Sequence, residues 1–313
     1  MMRPLVISGS AHGAFAEDLA RELECELGTT SLERFPDGEQ DVEIQASLRG
    51  QPVFVVQPLG PPVGENLLEL LLIADACRRA GSATVTAVIP YMGLARQDRV
   101  VKEGRPLGAK VLADALGTGG FSQVLAVDLH SPVVASCIQA PVAHLTAVSL
   151  LVERLRSLVR AESVVVAPDL GAVKLAETYA RLLGLPLAVV SKVRISPVEV
   201  EARSVVGDVS GRRPLIVDDM ISTGATVDVA IAALLAHGCE PYVLVTATHG
   251  LFVERAADRL SRKEVAWTIT SDSLPVPSRR PARLDVVRLA PLLAEAVRRI
   301  IVGRGLDELL ATR

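Results

Sequence analysis

Two acids and a hydroxyl-rich turn follow a predicted aliphatic strand in the segment LIVDDMISTGATV, residues 215–227. Asp218 and Asp219 stand where they could accept hydrogen bonds from sugar hydroxyls or bind Mg²⁺ through water. The turn after them presents hydroxyls and backbone N–H groups at the N-terminus of a predicted helix, where a phosphate is favourably held; its residues are Ser222, Thr223, Gly224, Ala225 and Thr226. A capped helix explains the turn alone, but the two acids before it favour a sugar-phosphate site.

Two further segments of the second half carry groups suited to phosphate chemistry. The strand VVVA runs into PDLG, where Asp169 lies beside free N–H groups that could hold Mg²⁺-diphosphate, although PDxG alone is a common turn. Lys192 and Arg194 alternate along a short extended stretch, so both side chains can point the same way. A polar, proline-containing segment after them predicts a mobile loop. Two cations on a closing loop could stabilise a transferring phosphoryl group, whereas a solvated basic pair is the simpler interpretation.

The first half carries three other candidate segments. In ERFPDGEQ, residues 33–40, the PDG sequence predicts the tight turn of a β-hairpin. The loop after the strand TVTAVIP contains two arginines that can form paired hydrogen bonds with phosphate; this group is Arg96, Gln97, Asp98 and Arg99. His130 follows the strand QVLAVD, where a lone histidine is usually structural but can also meet a phosphate-bound metal.

The elements that must position these residues are short aliphatic strands that alternate with longer amphipathic helices. This alternation predicts an α/β fold built on mainly parallel sheets flanked by helices. The order PVFVVQ, helix, TVTAVIP in the first half recurs as PLIVDD, helix, YVLVTA in the second. We therefore predict two tandem domains, residues 1–144 and 145–290, with a last helix within 291–313 that could pack on the first domain. Glycines predict helix ends at Gly184 and Gly238.

The composition excludes several other classes of protein. A chain of 313 residues, 50% of them apolar, is long enough for two buried cores. Its net charge of −3, with acids and bases interspersed, argues against a nucleic-acid binder. The four cysteines lie far apart, so neither a zinc site nor a disulfide framework is expected. Every apolar run ends before about 18 residues, which predicts no membrane span, and the N-terminus does not read as a signal peptide, so we expect a cytoplasmic protein.

Taken together, the segments resemble those of the ribose-phosphate diphosphokinase (PRPP synthetase) family, in similar order and spacing from Phe35 to Thr226. The resemblance implies two tandem phosphoribosyltransferase-type domains. It also implies transfer of the β,γ-diphosphate of Mg-ATP to the C1 hydroxyl of ribose 5-phosphate, with Mg²⁺ as cofactor. In this family the hairpin reaches into the neighbouring subunit, so the resemblance further implies a homo-oligomer whose ATP site is shared between subunits.

The same resemblance implies a role for each candidate residue. Lys192 is the transition-state lysine and Arg194 is its partner, which also contacts ribose 5-phosphate. The ribose 5-phosphate site is completed by Asp218, Asp219, Ser222, Thr223, Gly224, Ala225 and Thr226. His130 and Asp169 meet the metal. The ring of Phe35 stacks on adenine, and the other ATP contacts are Asp37, Gly38, Glu39, Arg96, Gln97, Asp98 and Arg99.

Some positions differ from the family pattern. Ser222 stands where many members have Asp, and Ala225 stands where they have Gly, which adds a Cβ to a tight loop. Leu94 and Val100 differ from the bacterial YARQDRR pattern. The stretches KxRxSPxEVE and KEGRPLGAK are instead closer to the archaeal-type branch.

Two other functions stay open on the sequence. A phosphoribosyltransferase that consumes PRPP would explain the acidic strand end and its loop, but it would not need the first-half motifs. A catalytically silent regulatory subunit would keep the fold, but it should have lost Lys192, Arg194 or His130. A P-loop kinase is excluded because the chain has no GxxxxGK[ST] motif.

Overall fold

The computed structural model describes residues 4–193 and 202–311. It divides the chain into two units. Unit 1 comprises Met1–Thr146, Ser273–Pro275 and Leu289–Arg313. Unit 2 comprises Ala147–Asp272 and Val276–Arg288.

The elements follow one another as short strands and longer helices. The strands are β1 (Leu5–Ser8), β2 (Leu27–Gly28), β3 (Thr30–Arg34), β4 (Gln40–Ile44), β5 (Pro52–Val56), β6 (Thr84–Ile89), β7 (Gln123–Val127), β8 (Val142–Leu145), β9 (Ser163–Ala167), β10 (Leu187–Val193), β11 (Ala202–Val206), β12 (Arg213–Ile221), β13 (Val243–Gly250), β14 (Val265–Ser271) and β15 (Leu284–Val287). The helices are α1 (Gly13–Glu22), α2 (Val63–Arg79), α3 (Gly108–Thr118), α4 (Pro132–Cys137), α5 (Val148–Arg156), α6 (Val173–Leu183), α7 (Ala225–Ala236), α8 (Ala256–Leu260) and α9 (Ala290–Ile301).

Each unit is built around a mainly parallel sheet. In unit 1 the strand order is β2-β1-β5-β6-β7-β8, and every pair is parallel. In unit 2 the order is β11-β10-β9-β12-β13-β14-β15, in which only the β10–β11 pair is antiparallel. Central strands such as β9 are buried along their whole length because helices cover both faces of such a sheet. The α/β fold predicted from the alternating pattern is confirmed.

The two sheets have the same topology once β11 is set aside. In unit 1, β2 lies on one side of β1, and β5, β6, β7 and β8 follow in order on its other side. In unit 2, β10 lies on one side of β9 in the same way, and β12, β13, β14 and β15 follow on the other side. This agreement supports the tandem repeat that the sequence predicts. In each unit a segment is inserted after the second strand: the separate antiparallel hairpin β3–β4 in unit 1, and the connection between β10 and β11 in unit 2.

The end of the chain belongs to unit 1. Helix α9 packs on α1, and the Arg298 guanidinium donates a hydrogen bond to the Glu22 carbonyl. The backbone N–H of Ala311 then donates to the carbonyl of His144, on β8, at 2.8 Å. In unit 2, Gly184 ends α6 in the left-handed conformation, with φ of 68°, as the sequence predicts for that position.

Candidate functional site

The acidic strand end of unit 2 lies on β12. Both Asp218 and Asp219 belong to this strand, and residues 222–224 turn the chain into α7. Gly224 precedes the helix with φ of 72°, a left-handed conformation that glycine adopts without steric cost. Ala225 is the first residue of α7 and is exposed. The position that requires glycine is therefore Gly224, and the Cβ of Ala225 does not occupy the left-handed position.

Asp218 is an unusual carboxyl group. Loss of hydration in its half-buried position raises its pKa well above the ordinary value, and the negative charges of Asp219 and Asp169 raise it further. The backbone N–H of Asp219, which donates to Asp218 Oδ1 at 2.9 Å, opposes this shift. The charges of two acids therefore act on a third, Asp218, near the carboxyl ends of two paired strands, β9 and β12, the second of which continues to Ile221. Such a cluster favours a bound cation or hydrogen-bond donors such as sugar hydroxyls.

Asp169 shapes the loop between β9 and α6. Its Oδ1 accepts hydrogen bonds from the backbone N–H groups of Gly171 at 2.9 Å and Ala172 at 3.2 Å. The residue itself is exposed. Within the described part of the chain, no three His, Cys, Asp or Glu side chains are placed to enclose a metal ion. The donor set fits Mg²⁺, which commonly binds through one or two carboxylates together with water and substrate phosphates.

Lys192 belongs to β10, where its backbone pairs with that of Arg203 on β11. It thus lies next to the connection between the two strands. The side chain of Lys192, and the whole of Arg194, lie outside the residues that the structure describes. Their roles stay predictions.

In unit 1 the FPDGE segment forms the predicted hairpin turn. Strands β3 and β4 pair in register from Thr30–Ile44 to Arg34–Gln40. The turn is closed by a hydrogen bond of 2.9 Å from the Phe35 N–H to the Glu39 carbonyl, and Asp37 Oδ1 accepts from the Glu39 N–H at 3.1 Å. Phe35 is 51% exposed at the end of this hairpin. One oxygen of Asp37 is thus engaged in the turn, whereas the ring of Phe35 is accessible to a flat ligand.

The hairpin is anchored to α2. The Arg34 guanidinium forms an ion pair of 2.6 Å with Glu65, and Gln40 Nε2 donates to the Glu65 carbonyl at 3.4 Å. Leu32 and Val42 pack against the core of the unit. Contacts at the base therefore hold the hairpin, and its tip projects into solvent.

The arginine-containing loop of unit 1 follows β6 and leads to α3. Its backbone is tied by bonds from Gln97 N–H to the Leu94 carbonyl at 2.9 Å and from Ala109 N–H to the Gln97 carbonyl at 3.1 Å. The Gln97 side chain packs on Gly108, where an added Cβ would lie 2.6 Å from Oε1. Arg96 and Arg99 are exposed. Among the described residues, neither their side chains nor that of Asp98 forms a hydrogen bond or ion pair, which leaves two guanidinium groups available to an anion.

His130 is exposed just after β7. Two features shape the chain there: Asp128 has a positive φ of 38°, and the Leu129 N–H donates to His144 Nε2 at 2.8 Å. This bond requires that Nε2 of His144 carries no proton. His144 therefore supports the turn that carries His130.

Two family models match most of the chain. The model described as the N-terminal domain of ribose phosphate pyrophosphokinase matches residues 5–120, and the phosphoribosyl transferase domain model matches residues 143–277. A ribose-phosphate pyrophosphokinase of Aquifex aeolicus is 40% identical over 305 residues, which cover 97% of this chain and 98% of the relative. This chain belongs to the ribose-phosphate pyrophosphokinase family.

Two further comparisons agree with this membership. A ribose-phosphate pyrophosphokinase of Gloeobacter violaceus is 40% identical over 94% of this chain and 89% of its own length. The crystal structure of the phosphoribosylpyrophosphate synthetase from Mycobacterium smegmatis superposes with a TM-score of 0.88 at 33% identity, covering 96% of this chain and 99% of that chain. These pyrophosphokinases are bacterial, so the predicted closeness to the archaeal-type branch is not supported. Among the described helices, none is long and apolar enough to cross a membrane.

Sequence reasoning missed a buried polar network in this member of the pyrophosphokinase family. Glu69 accepts hydrogen bonds from the Ser10 N–H at 2.6 Å, the Ser10 hydroxyl at 2.7 Å and Gln57 Nε2 at 2.8 Å. Gln57 Oε1 accepts from the Ala11 N–H at 3.1 Å. Gln57 and Glu69 are 0% and 5% exposed. The network fixes the β1–α1 loop at the strand end of unit 1 that corresponds to the acidic site of unit 2.

Proposed function

We propose that this chain transfers the β,γ-diphosphate of Mg-ATP to the C1 hydroxyl of ribose 5-phosphate, giving PRPP and AMP. One observation carries the proposal: a single chain combines an exposed aromatic hairpin tip at Phe35 with an acidic strand end and helix N-terminal loop at residues 218–226. A phosphoribosyltransferase that spends PRPP needs the second feature but not the first. We take unit 1 as the ATP domain and unit 2 as the ribose 5-phosphate domain.

The ribose 5-phosphate site has two parts. Asp218 and Asp219 accept hydrogen bonds from the ribose hydroxyls, and the donors offset the mutual repulsion of the carboxyl groups. Residues 222–226 hold the 5-phosphate with their N–H and hydroxyl groups at the start of α7. Ser222 keeps a hydrogen-bonding group there and adds no negative charge beside the phosphate.

The nucleotide is held by separate groups of unit 1. The ring of Phe35 stacks on adenine, and Glu39, together with the free oxygen of Asp37, accepts hydrogen bonds from the adenine edge. Gly38 allows the turn by adopting a φ of 96°. Arg96 and Arg99 neutralise phosphate charge, with Gln97 and Asp98 beside them. An oligomer in which this hairpin serves the site of a neighbouring subunit stays a prediction, as does a cytoplasmic location.

In the reaction, the anomeric oxygen of ribose 5-phosphate attacks the β-phosphorus of ATP. The bond from that phosphorus to the bridging oxygen of the α-phosphate breaks, and AMP leaves. Lys192 and Arg194 stabilise the charge that develops on the transferred group, since such reactions depend mainly on positioning and electrostatics. Mg²⁺ would neutralise phosphate charge, and the residues that would bind it are His130 in unit 1 and Asp169 in unit 2. Asp169 also keeps the β9–α6 loop in shape through its bonds to Gly171 and Ala172.

The test is to incubate the purified protein with Mg-ATP, with and without ribose 5-phosphate, and to separate the nucleotides by chromatography. The proposal predicts AMP that forms only with the sugar phosphate. ADP in place of AMP would indicate transfer of the γ-phosphate alone and contradict the proposal. No turnover, with both substrates bound, would favour a regulatory subunit. Turnover of PRPP with a purine or pyrimidine base, and none with ATP, would favour a phosphoribosyltransferase.

A further inference from the structure

One arginine outside the family motifs is bonded to the phosphate loop of unit 2. Arg259, on α8, donates a hydrogen bond of 2.7 Å from Nη1 to the carbonyl oxygen of Thr223. Arg259 as a whole is half-buried. Among the described residues, it is the only side chain outside residues 222–226 that bonds to the backbone of this loop. The two positions are 36 residues apart in the chain, so the fold brings them together.

The bond fixes the direction of a peptide N–H. The peptide between Thr223 and Gly224 is planar and trans, so its C=O and N–H point in opposite directions. Because Arg259 holds the Thr223 carbonyl toward α8, the Gly224 N–H points away from α8. Within the described residues that N–H has no acceptor. An outward-turned carbonyl would present its negative end to an anion, and Arg259 prevents this orientation.

Packing makes α8 a rigid backing for the loop. A Cβ added at Gly224 would lie 3.5 Å from Ala256 Cα and 3.7 Å from Arg259 Cβ, so this turn lies directly against α8. The segment before α8 is also tied to the loop, because Val253 N–H donates to the Ser222 carbonyl at 3.0 Å. The backbone of Phe252 adopts a positive φ of 47°, which a non-glycine residue keeps only where its surroundings hold it there.

The charge of Arg259 is not neutralised by a neighbouring acid. Arg262, three residues later, forms ion pairs with Asp228 at 2.8 Å and Glu264 at 2.9 Å. Arg259 has no ion pair among the described residues, and its side chain donates to a neutral carbonyl. Its positive charge therefore remains available to an anion held in the loop.

We propose that Arg259 is a positioning residue of the phosphate loop: it orients the Thr223–Gly224 peptide so that its N–H faces the 5-phosphate of ribose 5-phosphate, and it adds its charge to the loop. The inference rests on the proposed function for the identity of the anion. It assigns to a residue outside the DDMISTGAT segment a share in the affinity for the sugar phosphate.

The test compares Arg259→Gln and Arg259→Lys with the matched control Arg255→Gln, which changes an exposed arginine immediately before α8. Steady-state kinetics give KM for each substrate, and calorimetry gives the affinity for ribose 5-phosphate independently of turnover. We expect Arg259→Gln to weaken ribose 5-phosphate binding by about 10-fold or more, since it removes a charge-assisted hydrogen bond. KM for ATP should change less than about twofold. Arg259→Lys should recover part of the affinity because it keeps the charge but not the planar donor group.

Three results separate the possible failures. Unchanged ribose 5-phosphate affinity in Arg259→Gln overturns the inference. If Arg259→Gln weakens the binding of ribose 5-phosphate and of ATP equally and also lowers Tm, the inference is overturned as well, because this result indicates a general structural role. A wild-type protein that binds ribose 5-phosphate but makes no PRPP contradicts the proposed function instead, and calorimetry on the same variants still decides the role of Arg259.

Discussion

The backbone N–H of Asp219 donates a hydrogen bond of 2.9 Å to Oδ1 of Asp218, its neighbour on β12. This bond only partly offsets the loss of hydration and the repulsion from Asp219 and Asp169 that raise the pKa of Asp218. In the ligand-free protein the ionised form of Asp218 is therefore disfavoured. A hydrogen bond from a sugar hydroxyl, or a nearby cation, would stabilise that form, so the carboxyl group that lowers the stability of the free protein would favour binding.

Asp218→Asn should make the ligand-free protein more stable at neutral pH and less active. The pKa of Asp218 is 3.8 in the unfolded chain and is raised in the folded protein. The contribution of this carboxyl to the stability of the fold is therefore fully present below pH 3.8, and it is lost as the pH rises through the folded pKa. Asparagine does not titrate, so the variant should have the higher Tm at pH 7.5, and the advantage should shrink toward pH 4. Its kcat/KM for ribose 5-phosphate should fall about 10- to 100-fold, since the charged acceptor is lost. Scanning calorimetry across pH, with the exposed Asp208→Asn as control, checks this, and a lower Tm for Asp218→Asn at pH 7.5 contradicts it.

Phe35→Ala should weaken ATP binding without destabilising the fold. The side chain is 51% exposed, so little apolar contact is lost, whereas stacking of a base on an aromatic ring contributes about 1–3 kcal/mol. We expect KM for ATP to rise about 10-fold and Tm to stay constant. Val302→Ala, at a similarly exposed position of 53%, should change neither quantity. An unchanged KM for ATP in Phe35→Ala would show that the ring does not contribute to nucleotide binding.

Lys192→Ala should lower kcat by about 10²–10³-fold, the typical effect of losing one group that is preorganised for the transition state. Substrate affinities should change much less, and circular dichroism should match that of the wild type. Lys263→Ala, an exposed lysine in the turn between α8 and β14, provides the control. Near-normal turnover in Lys192→Ala excludes this residue from the mechanism.

Glu69→Ala should destabilise unit 1. It removes the acceptor of the Ser10 N–H and hydroxyl, and it leaves the buried Gln57 Nε2 with only its 3.3 Å bond to the Asn66 carbonyl. Loss of hydrogen bonds to a buried carboxylate costs about 1–3 kcal/mol. Glu69→Gln keeps one acceptor oxygen and should cost less. Denaturant unfolding measures both variants against Glu17→Ala, an exposed glutamate on α1. A Glu69→Ala protein as stable as wild type would mean that water replaces the carboxylate.

Much of the fold could be predicted because the strong signals were local. Continuous aliphatic runs predict buried strands, and those of β5, β6, β9, β12 and β13 form such strands. Gly184 ends α6 at the position where the sequence predicts a helix end. Four strands were not predicted: β2, β8, β11 and β14. The first two consist of only two and four residues. Strands β11 and β14 are longer, but their sequences, ARSVV and VAWTITS, mix polar residues with apolar ones instead of forming a continuous aliphatic run.

The candidate site was predicted where its residues are contiguous in sequence. Residues 218–226 were recognisable because a strand end, a turn and a helix start follow one another directly. Arg259 and Glu69 were not, because each meets its partners only through the fold: Arg259 lies 36 residues from Thr223, and Glu69 lies 59 residues from Ser10. The effect of Ala225 also needed the structure, since only the backbone angles assign the left-handed position to Gly224.

The shared topology explains where the predicted catalytic cations and the aromatic ring lie in the chain. The Phe35 hairpin and the connection that begins next to Lys192 both follow the second strand of their own sheet. The predicted functional residues of both segments are thus carried at the same topological position of the two sheets. At the strand ends the two units differ: Gln57 and Glu69 bond to the loop in unit 1, whereas Asp218 and Asp169 repel each other in unit 2.

The most direct test of the central claim is ³¹P NMR of the purified protein with Mg-ATP and ribose 5-phosphate, beside a sample without the sugar phosphate. The account predicts sugar-dependent loss of the ATP resonances, appearance of AMP, and a diphosphate ester whose α-phosphorus couples to the proton on C1. ADP with a monophosphate ester, or no sugar-dependent change from a protein that binds both substrates, would contradict it.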